Sequence, residues 1–73
     1  MDYINKEFTL DNNKKYVVIE QVNYNENIYL YIANSNDEND TMYVEIKDNN
    51  LLKIEPSLFE QHIFPLFLEK FRQ

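Results

Sequence analysis

Glycine and cysteine are both absent from this chain of 73 residues. Without cysteine there is no disulfide and no thiolate metal site. Without glycine, phosphate-cradling loops and nucleophile elbows lose the residue that supplies positive φ or close backbone approach. Asparagine is abundant instead and falls where turns are expected, being the next-best residue for the left-handed region. Basic charge is scarce too. Lys and Arg number 7 against 13 Asp and Glu, a formal charge of −6, and Lys14-Lys15 is the only adjacent basic pair. Nucleic-acid binding rests on neutralising phosphates with such side chains. The balance therefore argues against DNA, RNA and anionic membranes as direct partners and leaves basic protein surfaces. No apolar run approaches the roughly 20 residues that span a bilayer. The opening Met-Asp-Tyr-Ile-Asn-Lys-Glu lacks the charged region and apolar run of a signal peptide. A cytoplasmic location is expected.

What is present suits one small folded domain, residues 1–73. A domain of this size buries only about 60% of its unfolded surface and leans on staples, an apolar core or a partner. Apolar residues make up 44% and aromatic residues 15%, which supports a core and sets the chain apart from disordered sequences.

The pattern predicts an α+β fold. Phe8 and Leu10 alternate with polar neighbours, and Asp11-Asn12-Asn13-Lys14 reads as a turn. Residues 15–22 are rich in β-branched and aromatic side chains, a strand signal. Residues 23–27 form a second turn, and 28–33 a strand with Ile28, Leu30 and Ile32 on one face. A polar, acidic loop follows at 34–40. Met42, Val44 and Ile46 alternate with polar residues, Asn49-Asn50 suggests a tight hairpin, and 51–54 complete a last strand. The short spacings predict an antiparallel meander of four or five strands. A C-terminal helix over 58–71 is expected to pack on one face. Ser57 and Glu60 have the spacing of a capping box. Pro65 predicts a kink, or two short helices meeting near Phe64. The expected core is Phe8, Leu10, Ile19, Leu30, Ile32, Met42, Val44, Ile46, Ile54, Phe59, Ile63 and Phe67.

Two features suggest contact with a partner. If Leu30, Ile32 and Val44 face the helix, then Tyr29, Tyr31 and Tyr43 share the opposite face, joined by Tyr16 or Tyr24. Tyrosine supplies contact area with a polar tip, although antiparallel sheets often leave one face wet. On the helix, apolar residues fill an arc of about 200°, wider than the roughly 100° an ordinary surface helix needs. Phe64 and Leu68 belong to the surplus, which either docks on a partner or second copy or is turned toward the core by Pro65. A protein partner, or a homodimer, is the expectation.

Catalytic constellations are missing. The lone His62 has Leu58, Phe59, Pro65 and Leu66 at helical ligand spacing, so no zinc pair forms. Ser57 lies about 140° round a helix from it, wrong for a nucleophile and base. The simplest readings are a polar-side histidine and a capping serine. The oxygen-rich loop 34–40 lacks the glycine and closing glutamate of an EF-hand. Paired carboxylates arise by chance among so many acids, and a substrate cleft is hard to build in this volume. No enzyme, metal or cofactor is expected.

Lys15-Tyr16-Val17-Val18-Ile19-Glu20, Val22-Asn23-Tyr24-Asn25 and Tyr29-Leu30-Tyr31-Ile32-Ala33-Asn34, with the acidic loop and terminal helix, resemble the YrzB-like proteins. These are small proteins of low-GC Gram-positive bacteria and their mobile elements. The likeness covers roughly residues 7–71 and departs where Asn25 to Asn27 replace the usual glycine. It implies a bacterial or phage origin and assigns no site residue. The leading expectation is a non-catalytic protein-interaction module. The alternative is an inhibitor that imitates nucleic acid, with Asp37, Glu38, Asp40, Glu45, Asp48 and Glu55 standing in for phosphates.

Overall fold

Among the described residues, six non-glycine residues take the left-handed backbone conformation: Asn5 (φ 71°), Asn13 (63°), Asn25 (49°), Glu26 (69°), Asp48 (53°) and Asn49 (66°). In the computed structural model, which describes residues 2–72, five of them turn the chain between strands, and Asn5 bends the arm that leads into the first. The strands are β1 (Glu7–Thr9), β2 (Lys15–Tyr24), β3 (Asn27–Asn34), β4 (Asp37–Lys47) and β5 (Asn50–Leu52). Asn25-Glu26 and Asp48-Asn49 each place two consecutive residues at positive φ. This is the type I′ geometry, whose twist matches that of the strands it joins. The second turn lies one residue earlier than the expected Asn49-Asn50, and Asn50 already belongs to β5.

The sheet order is β1-β2-β3-β4-β5, each pair antiparallel. The expected meander is thus present with five strands. Its two faces are used differently from expectation. Tyr16, Val18, Leu30, Ile32, Val44 and Ile46 form one buried cluster, flanked by Tyr3, Phe8, Leu10, Ile28, Met42 and Leu51. Every strand contributes and no helical residue does, so this inner face is closed by the sheet curling on itself. Val22, Tyr29, Ile54, Ile63 and Phe67 form the second cluster, with Tyr24, Tyr31 and Tyr43 packed against it. The helix therefore covers the tyrosines, and Leu30, Ile32 and Val44 lie on the side away from it. The reason is steric economy: a curled sheet fills its concave side with its own side chains and leaves the outer side for the helix.

A bulge in β2 makes this division possible. Pairing runs Val18↔Ile32 and then Glu20↔Tyr31, which leaves Ile19 unmatched. One extra residue reverses the alternation. Tyr16 and Val18 point inward, whereas Val22 shares the outer side with its partner Tyr29. Ile19, expected in the core, is 45% exposed for the same reason. Tyr16, Val18, Val22, Tyr29 and Ala33 are buried although the pattern did not nominate them.

The helix follows from Glu55-Pro56. Pro56 is suited to a first helical turn, where its missing amide is not needed. The cap is Glu55, whose carboxylate accepts from the Leu58 amide at 2.8 Å and from the Ser57 hydroxyl at 2.8 Å. The capping box expected from Ser57 to Glu60 is not formed, because the helix starts two residues earlier, with Glu55 as its cap and Ser57 already inside the first turn. Winding is α over Pro56–Leu58 (α1), π over Phe59–Ile63, and α again over Phe64–Phe71 (α2). The break expected near Phe64 takes the form of that π turn. In α winding the Pro65 ring would clash with the carbonyl of Gln61. Instead the Phe64 amide reaches back five residues to the Phe59 carbonyl, and Pro65 stands in the first turn of α2. Ile63 and Phe67 end fully buried, each worth about 1.5–3 kcal/mol of apolar transfer.

Glu26 is the one left-handed residue that is neither Asn nor Asp. An ordinary L-residue loses about 1–2 kcal/mol there, more than the roughly 0.5–1 kcal/mol glycine gives up in backbone entropy. Glu26→Gly is expected to stabilise the protein by about 0.5–1 kcal/mol, raising Tm by several degrees. Thermal unfolding checks this, and an unchanged or lower Tm would show that the turn carries no strain.

Candidate functional site

The tyrosines singled out in the sequence are brought together, but beneath the helix. Tyr29 is 1% exposed. Burial, then the neighbouring Glu45 charge, raises its phenol above the usual range. Tyr43 lies at the centre of a ring cluster, with centroids 4.7 Å from Tyr31, 4.9 Å from Phe59, 4.9 Å from Phe67 and 6.0 Å from Phe64. These are favourable edge-on and tilted spacings. Tyr31 meets Phe71 at 5.5 Å. Of the proposed contact residues, Tyr29, Tyr31, Tyr43 and Phe64 are thus engaged within the fold. Tyr31, Tyr43 and Phe64 stay half-buried, and Leu68, 39% exposed, is the most open of the five, beside Phe71 at 45%. Phe71 was not separated from the rest of the helix arc by its spacing.

The six carboxylates of the acidic reading do not form one patch. Asp37 stands at the start of β4 and Asp48 in the turn beyond its end, separated by the length of the longest strand. Glu38 is exposed beside Asp37, and Glu45 lies mid-strand opposite Tyr29 and Leu52. Asp40 and Glu55 are engaged by the fold. The Tyr16 hydroxyl donates to Asp40 Oδ2 at 2.5 Å, and Asn34 Nδ2 donates to the same oxygen at 3.2 Å. A register shift places Asp40 there: Ala33 pairs with Thr41 but Asn34 with Asp37, so residues 38–40 bow out at the corner. Asn34 and Asp37 accept from the amides of Asn36 and Asn39, and the loop expected over 34–40 shrinks to a turn at Ser35-Asn36, because Asn34 ends β3 and Asp37 already begins β4.

His62 is exposed and stacks on Tyr24, with centroids 5.2 Å apart and planes 16° apart. Among the described residues no hydrogen bond joins its ring to a serine, threonine or tyrosine hydroxyl. Among the described residues no helix is long and apolar enough to cross a membrane.

A substrate cleft is expected to be hard to build in this volume; the surface carries two crevices, both wide open to solvent. One, of about 790 Å³, is the seam where the curled sheet fails to close. Phe8 and Leu10 from the β1 side face Leu51 and Leu52 of β5 across it, over Met42 and Val44. Its charged lining is Asp11 and Lys53. The other, of about 580 Å³, lies where the N-terminal arm, β2 and α2 meet. The arm is tied down by Asn5 N–H to the Val18 carbonyl at 2.8 Å, Val18 N–H to the Lys6 carbonyl at 2.9 Å, and Tyr3 N–H to Gln21 Oε1 at 2.8 Å. Ile4, Val22 and Leu66 give this crevice an apolar floor, and Asp2, Glu20, Glu69 and Lys70 are its charged rim. Sequence reasoning missed it, because nothing in the periodicity says that residues 2–4 lie beside β2. The bulge that exposes this stretch of β2 was the available signal: strict alternation of 16, 18, 20 and 22 would put Glu20 in the core.

The polar corner carries a pH dependence. Bonds from Tyr16 and then Asn34 hold the Asp40 carboxyl below the ordinary 3.8. Its stabilisation is complete above that value and is lost as pH falls through the lowered one. The Asp40 bond, then burial, raises the Tyr16 phenol above 10.0. Its contribution is complete below 10.0 and is lost as pH rises through the raised value. Tyr16→Phe should therefore weaken both limbs of the Tm–pH profile, and Asp40→Asn should leave the acid limb to Glu55, whose carboxyl is lowered by the Leu58 amide and the Ser57 hydroxyl, and the alkaline limb to the phenols raised by burial, Tyr29 and Tyr43 among them. Parallel profiles for wild type and Tyr16→Phe would disprove the coupling.

The chain matches no family model, no curated protein and no solved structure.

Proposed function

We propose that this chain is a non-catalytic protein-interaction module whose contact surface is the crevice between the N-terminal arm, β2 and α2. The observation that supports this reading is the crevice's make-up, an apolar floor of Ile4, Val22 and Leu66 inside a polar rim. An apolar centre with a polar margin is the anatomy of a protein contact. Ile4 is 38% exposed at the surface of a domain whose size rewards covering such groups. The perturbed groups, Tyr16, Tyr29, Asp40, Tyr43 and Glu55, are explained by burial or by bonds that hold the fold. None lines this crevice, so they do not argue for chemistry in it.

The test compares retention of binding proteins on the immobilised chain, on Ile4→Ser and on Leu52→Ser, the last removing an exposed side chain from the seam. Loss of a central apolar contact weakens binding by about tenfold or more. Proteins retained by wild type and Leu52→Ser but lost with Ile4→Ser are the expected result. Loss with Leu52→Ser alone would move the contact to the seam and overturn the assignment. Retention of nothing by wild type, together with a monomeric solution mass, would overturn the module reading itself.

A further inference from the structure

We infer that the crevice takes a cationic, amphipathic segment of a protein partner, with Arg or Lys side chains meeting Asp2, Glu20 and Glu69 and apolar side chains resting on Ile4, Val22 and Leu66. The inference rests on the interaction reading above and adds the partner's chemistry to it.

Charge is what separates the two crevices. The seam is balanced, with Asp11 against Lys53. The arm–β2–α2 crevice carries three carboxylates against Lys70. Each acid comes from a different wall: Asp2 from the arm, Glu20 from β2 and Glu69 from α2. Two are aimed by their own backbone contacts. Asp2 Oδ1 accepts from the Ile4 amide at 2.9 Å, and Glu20 Oε1 accepts from the Gln21 amide at 3.1 Å. A carboxylate held through one oxygen keeps lone pairs on the other for an incoming donor, and charge-assisted bonds of this kind are the stronger ones.

A metal ion is the other cation to weigh. Among the described residues no three His, Asp or Glu side chains are grouped to hold one. The acids stand around the rim rather than converging on a point, which suits several cationic side chains spread along a segment. The apolar floor gives that segment's other side chains a place to lie, so the occupant is amphipathic rather than merely basic. An excess of like charge also accelerates encounter with such a partner, in a salt-dependent way.

The probe is a synthetic helical peptide with arginine on one face and leucine on the other, followed by fluorescence anisotropy at low and high salt. Two double variants change net charge equally: Glu20→Lys with Glu69→Lys on the rim, and Asp37→Lys with Glu38→Lys on the distant β3–β4 hairpin. All four side chains are exposed or half-buried, and thermal unfolding confirms that each variant folds. The rim pair is expected to weaken binding by about tenfold or more, and the hairpin pair by no more than about twofold, with wild-type affinity falling as salt rises. Equal weakening by both pairs would reduce the effect to net charge and overturn the inference. Absent or salt-insensitive binding by wild type would also overturn it. If Ile4→Ser still abolishes capture of the retained proteins while the rim pair does not, the interaction reading stands and only the cationic partner falls.

Discussion

One unmatched residue, Ile19, determines how both sides of the sheet are used. Ahead of it Tyr16 and Val18 fill the curled interior. Beyond it Val22 turns outward and helps to seat the helix through Ile63 and Phe67. Without the extra residue, a continuous alternation would place Glu20 inside. The N-terminal arm is anchored at the same place, through both backbone groups of Val18. The bulge thus links the inner core, the helix seat and the crevice beside the arm, three features that a flat, regular β2 would not have produced together.

The outcome is a sheet apolar on both faces in a chain without disulfides. β3 shows this most clearly, with Tyr29 buried toward the helix and Leu30 and Ile32 buried inward. Burial on both faces is unusual for an antiparallel meander, which commonly wets one side. Here it compensates for small size, since two shallow cores share a single set of strands. The polar groups kept near these cores have partners: the Tyr16 hydroxyl reaches Asp40 at the β4 corner, and among the described residues no buried side-chain nitrogen or oxygen lacks one.

The five strands, the turns and the helix were legible because period-two alternation and asparagine-rich punctuation are local signals. Which face meets the helix was not. Leu30, Ile32 and Val44 look like the natural seat for a helix, and Tyr29, Tyr31 and Tyr43 like the wet side. Alternation distinguishes two faces but cannot tell that a sheet curls until it fills its own concave side. The wide apolar arc of the helix carried a hint, since Phe59, Phe64, Phe67 and Phe71 all find rings to pack on. The cap was misread because Ser57 has the favoured chemistry, while Glu55 has the better position ahead of Pro56. The crevice depends on long-range placement of the arm, and no short-range pattern encodes that.

The strand order equals the chain order, and this bears on how the molecule assembles. Each ladder closes over a short loop, so the sheet can zip from one hairpin to the next at little entropic cost. Curling of the sheet and docking of the helix then join remote parts of the chain, as where Phe8 and Leu51 share the inner cluster and Phe71 meets Tyr31. Pairing each strand with its neighbour in sequence keeps the ladders more local than a crossed topology would, which favours faster folding. Until the helix arrives, however, the tyrosine side of the sheet stands uncovered. A nascent chain would present that side before residues 56–71 are complete, so in synthesis the helix serves as the piece that conceals an adhesive surface.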